Sequence, residues 1–244
     1  MAVQYSFGQI VTSGLVLALD AADRNSYPGS GTAWRDLSGN NNTGTLTNGP
    51  TFSSANGGRI AFDGTDDYVI TTVNATPTLD ITSQITLETW LLSTALASSL
   101  HGDGIMSKGV SSDANSGVYE TLLTQGTGVN NPFFRMRIGA STPVYNPTNI
   151  PINLNQIYQF VSTYNGSIMR IYINGVESGA GLSTSGNIQS NTQQLTLGVR
   201  YLHPGTANDS FFSGNMYINR IYNRALSATE ILQNYNAQKS RFNL

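Results

Sequence analysis

The sequence predicts an all-β fold of short antiparallel strands with one short C-terminal helix, and three observations carry that prediction. First, Gly, Ser, Thr and Asn supply 102 of the 244 residues, a mixture that suits turns and hydroxyl-rich strands and starves helices of their usual surface residues. Second, apolar residues alternate with polar ones in runs of four to nine residues, broken by Asp-Gly and Asn-Gly pairs. Third, helical capping and periodicity coincide at one place only, near the C-terminus. The 23 aromatic residues (9 Phe, 12 Tyr, 2 Trp) are enough to build a core. A chain of this length fits a single sandwich domain.

Residues 1–14 read as an N-terminal arm with scattered apolar residues. Tyr5, Phe7 and Ile10 are its assembly candidates. Such an arm is either a disordered terminus or a segment that docks on the domain or a neighbour, because these side chains are costly to leave in water. Residues 15–226 form the predicted domain. Leu15 to Leu19 is its first strand, stopped by Asp20 and the turn-rich stretch from Asp23 to Gly31. Ile60, Phe62, Tyr68 and Ile70 lie in alternating segments split by Asp63-Gly64, which reads as a hairpin turn. Ile85 to Leu92 is a long alternating strand, and a short strand is expected at Ile105 to Lys108 between two Ser- and Gly-rich loops. Asn165-Gly166 and Asn174-Gly175 bracket the run Met169 to Ile173, so a three-stranded meander with two tight type I′ turns is expected. Strands continue at Leu195 to Leu197 and from Phe211 to Tyr222. Residues 227–244 are the helix and tail. Ser227-Ala228-Thr229-Glu230 is a capping box, Ile231, Leu232 and Tyr235 are the expected docking stripe, and the last six residues are expected to be peripheral.

Several classes of function are set aside by composition. Twelve basic and 14 acidic residues with no basic cluster argue against nucleic acid, whose binding rests on phosphate neutralisation. No apolar run is long enough for a membrane span. Met1 to Ser6 lack the charged and apolar blocks of a secretory signal. With no cysteine, disulfides and thiolate metal sites are absent.

Catalytic candidates are few. The four glutamates are Glu88, Glu120, Glu177 and Glu230, and the two histidines are His101 and His203. Paired carboxylates spaced for glycoside hydrolysis do not occur in the motif that supplies them on a strand. Glu88 and Glu120 are read as lone solvent-facing strand residues. Neither histidine lies near a nucleophile motif. The chain is therefore expected not to be an enzyme. Three carboxylates within five residues, Asp63, Asp66 and Asp67, allow two readings: a turn in which Asp63 caps its own backbone, or oxygen ligands for Ca²⁺. Asp20, Asp23 and Asp36 form a looser set. Trp90 reads as core. Trp34, in a loop beside Arg35-Asp36, is either core or a sugar-stacking ring, so Trp34 and Asp36 are the ligand-binding candidates.

Seven segments in order resemble the laminin-G-like, concanavalin A-like jelly-roll family. They are Leu15 to Asp20, Trp34 to Gly44, Phe62 to Val69, Ile85 to Trp90, Tyr164 to Gly166 with Ile171 to Gly175, Phe212 to Met216, and Arg220 to Ser227 with Glu230-Ile231. The resemblance implies a two-sheet antiparallel jelly-roll sandwich of about a dozen strands, of the kind that binds glycans or proteins, often through Ca²⁺ at one rim. Tyr217-Ile218-Asn219 stands where the family commonly has an acidic pair, which argues against an acidic site on that strand. The Asn-rich phrasing from Leu226 to Phe242 is similar to laminin-G-like proteins of marine bacteriophages. It implies a virion structural protein (capsid decoration, head fibre or tail adhesin) whose partners are other virion proteins or further copies of itself. The alternative implied is a Ca²⁺-assisted lectin module gripping a cell-surface glycan.

Overall fold

The computed structural model describes residues 9–72, 77–97, 102–109, 118–200 and 210–244. The expected assembly residues Tyr5 and Phe7, and both histidines, lie outside them. Among the described residues there are 17 strands and one α-helix. The strands of the first half are β1 (Leu15–Asp20), β2 (Ala33–Trp34), β3 (Gly44–Thr47), β4 (Thr51–Ser53), β5 (Arg59–Asp63), β6 (Tyr68–Thr71), β7 (Ile85–Ser93) and β8 (Asp103–Lys108). Those of the second half are β9 (Tyr119–Gln125), β10 (Asn130–Met136), β11 (Val144–Tyr145), β12 (Ile157–Tyr164), β13 (Ile168–Ile173), β14 (Val176–Glu177), β15 (Leu182–Ser183), β16 (Leu195–Leu197) and β17 (Ser213–Tyr222). Helix α1 spans Ala228–Gln238, followed by a 3₁₀ turn at Lys239–Phe242.

The strands make two antiparallel sheets, the arrangement the family resemblance implies. The first runs β14-β13-β12-β7-β17-β5-β4, with β1 also paired to β17 and β15 to β13. The second runs β11-β10-β9-β8-β16-β6-β3-β2. Alternation along each strand sends one set of side chains into the space between the sheets. Leu87, Leu91, Phe160, Ile171, Met216 and Ile221 point inward from the first sheet, and Val69, Ile105, Tyr119, Leu123, Phe134 and Leu197 from the second.

The outer face of the first sheet is also covered. Trp90, Tyr217 and Ile218 form a cluster with Phe242, while Val161, Tyr172 and Tyr222 pack with Val11, Leu226 and Ile231. The C-terminus is therefore not peripheral. Phe242 stacks on Trp90 with ring centroids 4.7 Å apart and meets Tyr217 edge-on at 5.1 Å. Arg241 donates to the Asp20 carboxylate and to the carbonyls of Asn56 and Gly58. Helix α1 docks through Ile231, Asn234 and Ala237, and Leu232 is 45% exposed. Sequence periodicity missed this rotation because the buried face is centred on a polar residue, Asn234.

Two turns differ from expectation. Asp63-Gly64 does not close a hairpin, since β5 belongs to the first sheet and β6 to the second. The stretch from Asp63 to Asp67 carries the chain from one sheet to the other. Asn174-Gly175 has positive φ at both residues (52° and 79°), the geometry of a type I′ turn. At Asn165-Gly166 only the glycine is positive. There the Asn165 side chain accepts the N–H groups of Ser167 and Ile168 and makes a three-residue loop.

The capping box is formed as expected: Ser227 Oγ accepts the Glu230 N–H, and Glu230 accepts the Ser227 N–H at 2.9 Å. Arg224 grips the same carboxylate with two nitrogens at 2.6 and 3.0 Å. Hydrogen bonds from that guanidinium pull the Glu230 carboxyl from 4.5 down to about 2. A depressed carboxylate contributes stability that is present above its unfolded pKa and lost as pH falls through the folded one. Melting temperature followed by circular dichroism should therefore fall between pH 4.5 and about 2, and Glu230→Gln should flatten that fall. Ser227→Ala should cost about 1 kcal/mol at neutral pH.

Candidate metal and ligand site

The site begins with the corner between the sheets. Asp63 ends β5, and its Oδ1 accepts the N–H of Thr65 at 2.7 Å and of Asp66 at 3.4 Å. Asp67 Oδ2 in turn accepts the Asp63 N–H at 3.0 Å. Gly64 has φ +77°, and a Cβ there would meet Ser213 Cβ at 2.8 Å, so the corner needs this glycine. Asn48 fixes the far side by donating to the Asp66 carbonyl. The result brings one carboxylate oxygen from each of Asp63, Asp66 and Asp67 within 4.8 Å of one another.

The three groups differ in environment. Asp63 and Asp66 face water, and Asp67 is buried. The Thr65 N–H holds the Asp63 carboxyl below its usual range. Burial, with the neighbouring charges of Asp63 and Asp66, raises that of Asp67. A bound cation would relieve this repulsion. Hard oxygen donors at this spacing match what Ca²⁺ takes, with backbone carbonyls and water completing six to eight ligands. Of the two sequence readings of the corner, the structure shows the first, Asp63 capping its own backbone, and the second would use the same three carboxylates as ligands.

The other candidate pair is corrected by the structure. Trp34 lies in β2 with no exposure, inside the core between the sheets. It cannot stack on a sugar ring. Asp36 is a loop organiser: Oδ1 accepts the N–H groups of Ala18 and Ser38, and Oδ2 accepts the Ser38 hydroxyl and the Asn42 N–H. Two donors on each oxygen leave no lone pair directed at a ligand. Ile10, the arm candidate within the described residues, is half-buried. Its neighbour Val11 is tied to this chain's own helix, its N–H donating to Asn234 Oδ1 at 2.8 Å.

Glu88 and Glu120 are not solvent-facing. Glu88 has no exposure; its Oε1 accepts from Trp90 Nε1, Gln159 Nε2 and Arg220 Nη1, and its Oε2 from Asn234 Nδ2. Glu120 is buried on the outward side of β9, where it pairs with Arg135 and Arg200 and accepts from Ser107. Among the described residues, neither carboxylate belongs to a cluster of acidic groups like that at the corner. Arg220, Arg135, Arg200, Gln159 and Asn234 were missed by sequence reasoning. The available signal was the rarity of charge: an arginine inside an apolar strand such as β17 requires a buried acid.

The match to known proteins follows this geometry. A family model described as the concanavalin A-like lectin/glucanases superfamily matches residues 63–232. No curated protein sequence matches the chain. Among solved structures, the binding domain of Paraclostridial Mosquitocidal Protein 1 is similar at TM-score 0.67 and 18% identity, over 92% of this chain and 52% of that one. Domain 4 of AbnA, a GH43 extracellular arabinanase from Geobacillus stearothermophilus solved in complex with arabinotriose, is similar at TM-score 0.65 and 18% identity, over 91% of this chain and 98% of that one. A structure of botulinum neurotoxin type C, described as dependent on two ganglioside molecules for cell entry, is similar at TM-score 0.67 and 14% identity, over 93% and 52%. This chain thus spans about half the toxin chains and nearly all of the arabinanase domain. At these identities the likeness is one of fold.

Two substitutions separate structure from ligand binding. Trp34→Ala should lower unfolding free energy by about 3–5 kcal/mol, read by denaturant titration. Asp36→Ala, which strands buried donors, should cost about 1–3 kcal/mol. Neither should alter cation affinity of the folded protein, measured by calorimetry.

Proposed function

The chain belongs to the concanavalin A-like lectin/glucanase superfamily, and from that premise we propose that it is a non-catalytic carbohydrate-recognition domain displayed on a bacteriophage virion. One observation carries the recognition part: a solitary carbohydrate-complexed domain, the arabinanase's fourth, matches this chain over 98% of its own length. The non-catalytic part is supported by the strand glutamates. An acid or base must reach the substrate's proton within hydrogen-bond distance. Glu88 and Glu120 instead hold arginines, and Glu88 is sealed beneath α1.

Recognition then falls to loops at the sheet margins. At the corner, Asp63, Asp66 and Asp67 would hold a Ca²⁺ ion, which supplies positive charge and vacant coordination positions for sugar hydroxyls. The chain's own part is to fix three oxygens through the Asp63 turn and the buried Asp67. The virion placement rests on the Asn-rich resemblance from Leu226 to Phe242 and on the low content of charge. Its partners would be virion proteins or further copies of this chain.

A glycan array probed in Ca²⁺ should show binding that EDTA reduces, and Asp66→Ala, a change at an exposed side chain, should reduce it as well. A blank array with and without Ca²⁺ would remove the recognition reading, and reducing-sugar release from array glycans would remove the non-catalytic one. Mass spectrometry of purified particles should find the chain; its absence from them would contradict the virion placement.

A further inference from the structure

Lys108 ends β8 at a buried corner of the sandwich. Its side chain is 5% exposed, and its Nζ donates to both the backbone carbonyl and the Oδ1 of Asn191, each at 2.7 Å. Asp80 Oδ1 lies 3.8 Å from the same Nζ. Asp80 is itself locked to the Asn191 loop, accepting the Ser190 hydroxyl at 2.5 Å and the Asn191 N–H at 3.2 Å. The segment carrying Asn191 is pinned by Ile188 N–H to the Thr82 carbonyl, ahead of β7, and by Gln189 N–H to the Arg137 carbonyl, just after β10. A fifth group points at the amide: the Gln193 N–H donates to Asn191 Oδ1 at 3.1 Å.

An amine, a carboxamide with a polarised carbonyl and a nearby carboxylate are the components of intramolecular amide exchange. We propose that Lys108 and Asn191 form a covalent side-chain amide, with Asp80 as the proton acceptor. The amine nitrogen attacks Asn191 Cγ, which lies within roughly 3.9 Å of Nζ because a C=O bond adds about 1.2 Å to the contact with Oδ1. Attack requires the neutral amine to leave its donor contact with Oδ1 and approach Cγ from above the amide plane, at the roughly 3–3.5 Å of a near-attack geometry. The bond from Cγ to Nζ forms and the bond from Cγ to Nδ2 breaks. One proton leaves Nζ, with the Asp80 carboxylate 3.8 Å away as its acceptor, and one proton is delivered by way of solvent to Nδ2, which leaves as ammonia. No oxidation occurs, and the product is a neutral secondary amide. The Gln193 N–H stabilises the negative charge that develops on Oδ1.

The surroundings favour the attack. Burial pushes the Lys108 ammonium below its usual range, with the Asp80 charge opposing, and the neutral amine is the nucleophile. Tyr119, paired with Lys108 across β9 and fully buried, walls the corner by donating to the Leu79 carbonyl. The cross-link would join residues 83 apart in sequence. In a chain without cysteine it would constrain the unfolded state as a disulfide does.

Intact-mass spectrometry of the purified protein after prolonged incubation tests this. The expected mass is lower than the sequence mass by one ammonia, and trypsin should yield a branched peptide joining residues 60–135 to 171–200. Lys108→Arg and Asn191→Ala should each keep the full mass. Asp80→Asn, which retains both reacting groups, should slow or stop the loss. A wild-type protein that keeps its full mass, with separate peptides ending at Lys108 and Arg200, overturns the proposal. Linkage in Asp80→Asn at the wild-type rate removes Asp80 as the acceptor.

Discussion

The carboxylate of Glu88 is the interaction on which the arrangement of this molecule turns. It sits on the outward side of the central strand of the first sheet, with no access to water. A lone buried charge there would cost several kcal/mol. Four side chains remove that cost, three from other elements, Arg220 on β17, Gln159 on β12 and Asn234 on α1, and one from the same strand, the indole of Trp90. Asn234 extends the arrangement by accepting the Val11 N–H and donating to the Tyr222 hydroxyl, which donates to the Val11 carbonyl. One acid thus fixes the register of the C-terminal helix and of the N-terminal segment on the same sheet face. Apolar contact alone would tolerate sliding of a helix this narrow, whereas a hydrogen-bonded charge permits one seat.

That seat decides where ligands can go. The Trp90 ring, which by composition could serve as a sugar platform, is occupied on its face by Tyr235 at 5.7 Å and Phe242 at 4.7 Å. Tyr217 closes the same cluster. With this face covered by the chain's own tail, the recognition we propose would fall to the second sheet and to the loops. Among the described residues, the acidic corner is where folding has gathered three carboxylates within 4.8 Å of one another. The second sheet is crossed at Gly104, where a Cβ would meet the backbone of Val199 and Arg200 at 2.2 Å. Arg200 reaches Glu120 from that crossing, so the second strand glutamate is neutralised by local chain geometry as the first is by the helix.

Much of the fold was legible because it follows from alternation and turn chemistry, which are local. The strand from Ile85 to Leu92, the hairpin at Asn174-Gly175 and the capping box at Ser227 each declare themselves within ten residues. What was illegible depends on which sheet a strand joins. Asp63-Gly64 has the composition of a hairpin turn, yet its two strands diverge into different sheets, and nothing local distinguishes the cases. Trp34 looked like a loop residue because β2 is two residues long, too short to show a period. Asp36 became a ligand candidate through its place beside Trp34 in that loop; the neighbours Ser38 and Asn42 are its own hydrogen-bond donors. The partners of Glu88 lie 71, 132 and 146 residues away, beyond any spacing argument.

Hydrogen exchange of the intact protein, read by mass spectrometry over peptides, tests the sealed face most directly. If Glu88 holds the C-terminal segment as an integral layer, the amides of 231–238 stay protected as long as those of β7 and open together with them. Exchange of 231–238 at the rate of a frayed terminus, while β7 remains protected, would mean that the tail lifts from the Trp90 surface and that this face is open to ligands.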